Sequence, residues 1–122
     1  MTPDQLTVPR RESLRRALQI KRAELERNLA RLEEEAVDAR VDSAELEDVA
    51  EGVIEDRYRN AMREHDRTLL GEVLHALRKL DAGTYGLSEA SGRPISFERL
   101  RAVPWARFAT HEAERLERPG GA

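Results

Sequence analysis

The sequence predicts a mostly α-helical protein, in which a long antiparallel helical hairpin, or coiled coil, is joined to a small globular base with a C-terminal helix. Charged residues make up 37% of the 122 residues and aromatic residues only 4%, which is typical of long helices rather than of a large globular core. Apolar residues recur at helical spacing on both sides of a short acidic stretch at 41–50. Most aromatic residues and a cluster of glycines and prolines follow residue 80, where the chain changes character.

The composition limits the classes of function. A chain of this length suits one domain, and a net charge of −3 gives no general attraction to nucleic acid or to an anionic membrane. The absence of cysteine excludes disulfides and thiolate metal sites. No apolar run approaches the roughly 20 residues that span a bilayer, and residues 1–11 lack the apolar segment of a signal peptide. We therefore expect a cytoplasmic protein with no membrane partner.

Residues 1–9 are expected to form a flexible lead-in, and residues 10–82 the coiled-coil hairpin. The first helix is predicted at 10–40, where neither proline nor glycine occurs. Its apolar residues share one narrow face, which is the form of a coiled-coil seam. They are Leu14, Leu18, Leu25, Leu29, Leu32 and Ala36.

The second helix is predicted at 44–80. Its apolar stripe consists of Leu46, Val49, Val53, Leu69, Val73, Leu77 and Leu80, with Ile54, Tyr58, Ala61 and Met62 in the middle. Two amphipathic helices with so short a connection should pack antiparallel. The tip of the hairpin then falls at 41–50.

The tip carries more acidic groups than a turn requires. Asp42 or Ser43 is predicted to cap the second helix, because a short side-chain oxygen can accept from the free N–H groups of the first turn. Glu45 and Glu47 would follow in that turn, where the helix dipole favours acids. Local structure does not require Asp48, which makes it the first candidate for a functional residue.

A basic band follows on the second helix. It consists of Arg57, Arg59, Arg63 and Arg67, interleaved with acidic residues. Such mixed charge is typical of a solvated, ion-paired surface, and a role in docking to a partner is the alternative.

Residues 83–122 are predicted to form the base and its C-terminal helix. The glycines after Asp81 stop the second helix, segments 85–87 and 94–96 could pair as a small hairpin, and helical segments follow at 97–100 and 106–118. A miniature core is expected from Tyr85, Leu87, Ile95, Phe97, Leu100, Val103, Trp105 and Phe108.

The base contains recognisable motifs. YGLSEASGRPI at 85–95, followed by RLRAVP at 99–104, resembles the zinc-finger region of the DksA/TraR family of bacterial transcription regulators. The family signature is a pair of C-x2-C motifs, and the matching positions here are Ser88 and Ser91, then Ala109 and Glu112. The resemblance covers about 42–118. At the tip, Glu45, Asp48 and Ala50 match the family motif D-x-x-D-x-A, with Glu in place of the first Asp.

The resemblance implies a polymerase-binding function. Members bind bacterial RNA polymerase directly, insert the coiled coil into its secondary channel, and change the stability of promoter complexes without sequence-specific DNA binding. By the match, the tip residues Asp42, Glu45, Asp48 and Ala50 would contact the polymerase. Carboxylates would do so through charge-assisted hydrogen bonds. We expect a monomer that is not an enzyme.

Two departures from the family affect the expected cofactors. A structural zinc site needs four good ligands, and Ser88, Ser91, Ala109 and Glu112 do not supply them, so we expect no metal and no cofactor. Some members also share a site for guanosine tetraphosphate, the effector of the stringent response. The matching positions here are Glu72, Val103 and Ala113, which cannot compensate phosphate charge. We therefore expect either action independent of that effector or a response only through the polymerase's other site.

Two other hypotheses remain at this point. The chain could be a helical-hairpin interaction module without polymerase activity. Alternatively, the tip carboxylates could position Mg²⁺ for transcript cleavage.

Overall fold

The computed structural model of the chain describes residues 6–45 and 49–117, with side chains at 6–41 and 52–116. It contains the helices α1 (Val8–Glu45), α2 (Val49–Ala82), α3 (Phe97–Ala102) and α4 (Thr110–Glu117). Within these ranges the only β-structure is an isolated antiparallel bridge between Leu87 and Pro94, where the small hairpin was expected. The predicted mostly α-helical fold is confirmed. None of the described helices is long and apolar enough to cross a membrane.

The two long helices differ from the prediction at their shared end. α1 continues through 41–43 to Glu45, and α2 begins at Val49 rather than at 44. Segment 41–43 contains neither proline nor glycine, so nothing in it forces the helix to stop. Asp42 and Ser43 therefore lie inside α1, and the prediction that one of them caps α2 is wrong.

The chain divides into two compact units. Among the described residues, unit 1 consists of 6–20 and 72–117, and unit 2 consists of 21–71. The first part of α1 and the last part of α2 thus belong to the same unit as the base. The boundary predicted between residues 82 and 83 remains a prediction.

The core of unit 1 combines both long helices with the base. In it, the Tyr85 hydroxyl donates a hydrogen bond of 2.8 Å to the Pro104 carbonyl oxygen, which satisfies the polar end of a buried ring. α3 begins where the Ser96 hydroxyl oxygen accepts from the Arg99 backbone N–H at 3.1 Å. The buried apolar residues of unit 1 are Leu14, Leu18, Val73, Ala76, Leu80, Tyr85, Ile95, Leu100, Ala106 and Ala113.

The base core differs from the predicted set. Leu87 is 41% exposed, and four other predicted members, Phe97, Val103, Trp105 and Phe108, are only half-buried. The Phe97 ring is instead covered by the Arg10 guanidinium, 4.4 Å from its centroid, a cation–π arrangement.

The terminal helix also starts later than predicted. α4 begins at Thr110 rather than at 106. The Ala109 carbonyl oxygen accepts from the Ala113 N–H at 2.9 Å, and the Glu112 carboxylate accepts from the Ala109 N–H at 3.1 Å. This is half of a capping box, with the acid at the third helical position reaching back to the cap residue. It fixes the start of α4 at this point.

Candidate functional site

The tip residues lie around a connection of residues 46–48 between α1 and α2. Asp48 lies outside the described residues. Asp42, Glu45 and Ala50 lie on the helices, and their side chains are not among those that the structure describes. Their backbone positions show on which helix, and how near to its end, each of these three residues lies.

The position of Glu45 differs from the one predicted. Glu45 is the last residue of α1, where the helix dipole disfavours a negative charge by about 0.3–1 kcal/mol. The prediction that it complements the dipole of α2 is therefore wrong. Asp48 directly precedes the first residue of α2, a sequence position at which Asp is a preferred cap. Glu45 is thus an acid that its position at the end of α1 does not favour.

The seam of unit 2 is part apolar and part charged. Leu25, Leu32 and Ala36 of α1 are buried as predicted, but Asp66 of α2 is also buried, at 6% exposure. The Asp66 carboxylate lies 3.2 Å from Nδ1 of His65. A buried carboxylate costs free energy unless it is hydrogen-bonded.

The apolar residues predicted for the middle of the α2 stripe are exposed instead. Ile54 and Tyr58 are 69% and 67% exposed, and Ala61 is exposed too. Val53 and Met62 are 43% and 36% exposed. The buried positions of α2 continue backwards from Leu80 at spacings of four, three and seven residues. This spacing fits the seven-residue repeat of a coiled-coil seam, and it leads to Asp66 rather than to these apolar residues. Val37 and Val41 of α1 are also exposed. The exposed apolar set of unit 2 therefore consists of Val37, Val41, Val53, Ile54, Tyr58, Ala61 and Met62.

The basic band divides into two pairs. Arg63 contacts α1 through a 2.8 Å ion pair between its Nη1 and Oε2 of Glu33, and it also bonds Asn60 on its own helix. Arg59 has a side chain only 12% exposed and pairs with Asp56 at 2.6 Å. Arg57 and Arg67 are exposed. Arg59 and Arg63 therefore fit the interpretation of the band as an ion-paired surface. The residues left as candidates for docking to a partner are Arg57 and Arg67.

In unit 1, the first two of the four zinc-finger positions, Ser88 and Ser91, lie in a closed turn at 88–93. The Ser88 N–H donates to the Arg93 carbonyl oxygen at 2.8 Å, and the Gly92 N–H donates to the Ser88 carbonyl oxygen at 2.9 Å. Gly92 has a φ of 73°, which glycine adopts without steric cost. The Ser88 hydroxyl oxygen accepts from the N–H groups of Ala90 and Ser91 at 3.1 and 3.4 Å.

The Glu112 carboxylate brings the four positions together. It accepts from the Ala109 N–H, and the hydroxyls of Ser91 and Ser88 also donate hydrogen bonds to it. These bonds, the one from Ser91 above all, hold the pKa of Glu112 below its ordinary value. Glu112 and Ser88 are each only 4% exposed. The carboxylate is therefore buried, charged and surrounded by donors.

Known proteins resemble this chain over part of their length. No family model matches it. It is 33% identical over 98 residues to an uncharacterized protein of Aquifex aeolicus, covering 80% of this chain and 65% of that protein. General stress protein 16O of Bacillus subtilis is 53% identical over 53 residues, which are 43% of this chain and 32% of that protein.

A named transcription factor is also among the relatives. The chain is 35% identical over 75 residues to the RNA polymerase-binding transcription factor DksA of Caulobacter vibrioides, covering 62% of this chain and 53% of DksA. It thus spans less than two thirds of the length of each of these relatives. The structure of DksA2 from Pseudomonas aeruginosa matches with a TM-score of 0.82 over 96% of this chain and 90% of that chain, at 24% identity, which shows a shared fold. Sequence similarity and the shared fold together support assignment of the chain to the DksA/TraR family.

The residues at the DksA/TraR zinc positions do not fit zinc. Ala109 has no side-chain atom that could bind a metal, and the Ser88 and Ser91 hydroxyls are engaged by hydrogen bonds to the Glu112 carboxylate. A structural zinc site needs four ligand atoms, normally from Cys or His, and only Glu112 offers a charged one. No group of three or more His, Cys, Asp or Glu residues suited to a metal occurs in the described part of the chain.

The position that matches the family's effector site is engaged within unit 1. Arg107 donates to Glu72 through two hydrogen bonds, Nε to Oε2 at 2.7 Å and Nη2 to Oε1 at 2.9 Å. Arg107 also contacts Glu89 at 3.5 Å, and Glu89 pairs with His75 and Lys79. Sequence reasoning noted the acid at residue 72 but missed its partner, 35 residues away.

The Glu72–Arg107 pair predicts acid sensitivity. The hydrogen bond from Arg107 holds the pKa of the Glu72 carboxyl below its ordinary value of 4.5, against the opposing effect of burial. Because the folded-state pKa is the lower one, the pair stabilises fully above 4.5 and loses its contribution as the pH falls through the folded-state value. At neutral pH, Glu72→Gln should lower the free energy of unfolding by about 0.5–1 kcal/mol, the range of a partly exposed pair.

Urea unfolding at neutral pH and in acid tests this. The difference between Glu72→Gln and wild type should shrink as the pH falls below 4.5. Glu64→Gln, at an exposed position of α2, is the matched control and should follow wild type throughout. A constant difference between Glu72→Gln and wild type at every pH would contradict the prediction.

Proposed function

We propose that this protein binds bacterial RNA polymerase directly and regulates transcription initiation, without being an enzyme. The observation that carries the proposal is the hairpin end itself. Two paired helices are joined by residues 46–48, and the acidic motif Glu45-x-x-Asp48-x-Ala50 spans that connection. Similarity to the RNA polymerase-binding transcription factor DksA of Caulobacter vibrioides over 62% of this chain supports the choice of partner.

Unit 2 is the part that would enter the secondary channel of the polymerase, with residues 42–50 foremost. Its two helices, each roughly 10–12 Å across with side chains, make a slender body. The part of α1 within it, from residue 21 to Glu45, extends about 37 Å at 1.5 Å per residue. Such a body can carry a few polar groups deep into a narrow opening.

The tip acids would act on promoter complexes. Glu45 supports this role because it lies at the end of α1 at which its charge is unfavourable, so its presence is not accounted for by the fold. Carboxylates there would accept charge-assisted hydrogen bonds from polymerase donors. Ala50 has a small side chain that permits close approach, and Asp42 lies one helical turn before the end of α1.

Docking along the hairpin would use the exposed residues of unit 2. Arg57 and Arg67 are exposed, whereas Arg59 and Arg63 are paired within the unit. Tyr58 is also exposed, and aromatic and arginine side chains are enriched at protein–protein interfaces. We therefore assign docking to Arg57, Arg67 and the exposed apolar set of unit 2.

The regulation would not need guanosine tetraphosphate bound to this chain. Two of the three positions that match the family's effector site are Glu72, an acid paired with Arg107, and Ala113, which is buried. Neither can compensate phosphate charge.

The test uses purified bacterial RNA polymerase and the full chain. We expect direct binding, which should be blocked by an established occupant of the secondary channel, and a changed lifetime of promoter complexes. Absence of binding would instead favour a helical-hairpin interaction module with another partner. Cleavage of backtracked RNA that depends on added Mg²⁺ would favour the transcript-cleavage hypothesis.

A further inference from the structure

The buried carboxylate of Glu112 occupies one of the four positions that hold zinc in relatives with both C-x2-C pairs. Glu112 and Ser88 are each 4% exposed, and an unpaired charge at such a place would strongly destabilise the fold. The groups that surround the carboxylate are the Ala109 N–H and the hydroxyls of Ser91 and Ser88. They come from the three other zinc positions.

We propose that the Glu112 carboxylate takes the place of the metal, and that it closes the base by accepting hydrogen bonds from the residues at the three other zinc positions. The polarity of the site is then inverted. In a zinc site a central cation is surrounded by anionic ligands, whereas here an anion is surrounded by donors. Charge-assisted hydrogen bonds are roughly twice as strong as neutral ones, so an anionic acceptor is the more effective centre.

The donor and acceptor inventory of the cluster is consistent. A serine hydroxyl has one proton and two acceptor lone pairs. The Ser88 oxygen accepts from Ala90 and Ser91 N–H groups, and the Ser91 oxygen accepts from the Arg93 N–H at 3.3 Å. Each hydroxyl proton therefore remains available for the carboxylate. Residue 109 contributes its backbone N–H. Because no side-chain donor is needed there, alanine is sufficient at this zinc position.

The cluster joins two segments that are distant in sequence. Ser88 and Ser91 belong to the turn at 88–93, and Glu112 belongs to the first turn of α4. A backbone hydrogen bond of 2.8 Å from the Glu89 N–H to the Arg107 carbonyl oxygen runs beside it. The carboxylate is thus placed to hold α4 against the turn, as a metal would.

A simpler explanation is that Glu112 only caps α4. The Ala109 N–H bond by itself would satisfy that role. The two explanations differ in whether the serines matter to Glu112. A cap acts within α4, whereas the proposed centre couples α4 to the turn at 88–93.

A double-mutant cycle on thermal unfolding distinguishes them. Glu112→Gln places an amide donor among donors and should lower Tm by several degrees, and Ser91→Ala should lower it by less. The loss in the double variant should be smaller than the sum of the two single losses, because both remove the same interaction. Glu114→Gln, at an exposed position of the same helix, is the control for charge and should leave Tm unchanged. Additive losses, or an unchanged Tm in Glu112→Gln, would overturn the proposal.

If Glu112→Gln is too unstable to measure, the serines provide the test. Ser88→Ala and Ser91→Ala should each lower Tm, and Thr110→Ala, at an exposed position beside the cluster, should not. If all three variants changed Tm by the same amount, a role for the serine hydroxyls would be rejected.

Restoring the four cysteines tests whether the positions converge as a zinc site would. The variant Ser88→Cys/Ser91→Cys/Ala109→Cys/Glu112→Cys should bind one zinc ion per chain, and a chelator should lower its Tm. The wild type should contain no zinc after purification without chelator, and its Tm should not respond to chelator. Failure of the four-cysteine variant to bind zinc, or stoichiometric zinc in the wild type, would contradict the proposed replacement.

Discussion

The Asp48→Asn variant is expected to bind bacterial RNA polymerase as tightly as the wild type and to lose most of its effect on promoter-complex lifetime. Asn and Asp are equally good helix caps, so the change preserves any contribution of residue 48 to the start of α2, which follows at Val49. It removes a negative charge, and a hydrogen bond that the carboxylate accepts only in the promoter complex would lose about 1.5–3 kcal/mol, the contribution of hydrogen bonds to charged groups. Since 1.4 kcal/mol corresponds to a factor of ten, the effect on lifetime should fall by about tenfold or more.

The choice of asparagine makes this experiment specific. Asp48→Ala would remove a cap as well as a charge, and a loss of regulation would then have two explanations. Glu55→Gln, on the exposed surface of α2, is the matched control and should regulate like the wild type. Unchanged regulation by Asp48→Asn, measured with the same polymerase and promoter, would exclude the proposed role of that carboxylate.

The second large effect concerns the stability of the base. Leu100→Ala should lower the free energy of unfolding by about 2–5 kcal/mol, the range for deleting a fully buried leucine side chain. Leu100 is 0% exposed and lies in α3, and its Cδ1 lies 3.8 Å from where a side chain on Gly86 would begin. The surrounding backbone is therefore close and cannot easily fill the space. Domains are typically stable by only about 5–15 kcal/mol, so the variant should be close to unfolding.

Urea denaturation followed by far-UV circular dichroism measures this loss. Leu116→Ala is the control, because Leu116 is 51% exposed on α4 and its truncation should change stability by about 0.5 kcal/mol or less. Similar losses in the two variants would show that Leu100 does not contribute to the core as its burial indicates.

The long helices were predictable because their pattern is repetitive. Burial of Leu14, Leu18, Leu25, Leu32 and Ala36 follows directly from their spacing on α1. On α2 the same spacing, continued backwards from Leu80, would have identified Asp66 as a buried position. The prediction followed hydrophobicity instead and assigned Tyr58 and its neighbours to the stripe. Periodicity was thus the more reliable signal, even where it led to a charged residue.

The base was less predictable because its contacts are distant in sequence. Nothing local to Glu112 indicates that its carboxylate meets Ser88 and Ser91, more than 20 residues earlier. The family resemblance contained the relevant signal, since it assigned these residues to one metal site. Residue type was misleading as well, because the large side chain of Trp105 was expected in the core, whereas the small Ala106 is buried there.

The charged positions in the seam of unit 2 have a consequence for the alignment of its helices. An apolar stripe tolerates a slip of one helical turn, because one leucine can replace another. Such a slip would move Arg63 about 5.4 Å along the axis away from Glu33, its partner at 2.8 Å, and would shift the buried Asp66 into new surroundings. Polar residues within a seam specify register at some cost in stability. They therefore set how far each helix of unit 2 extends relative to the other.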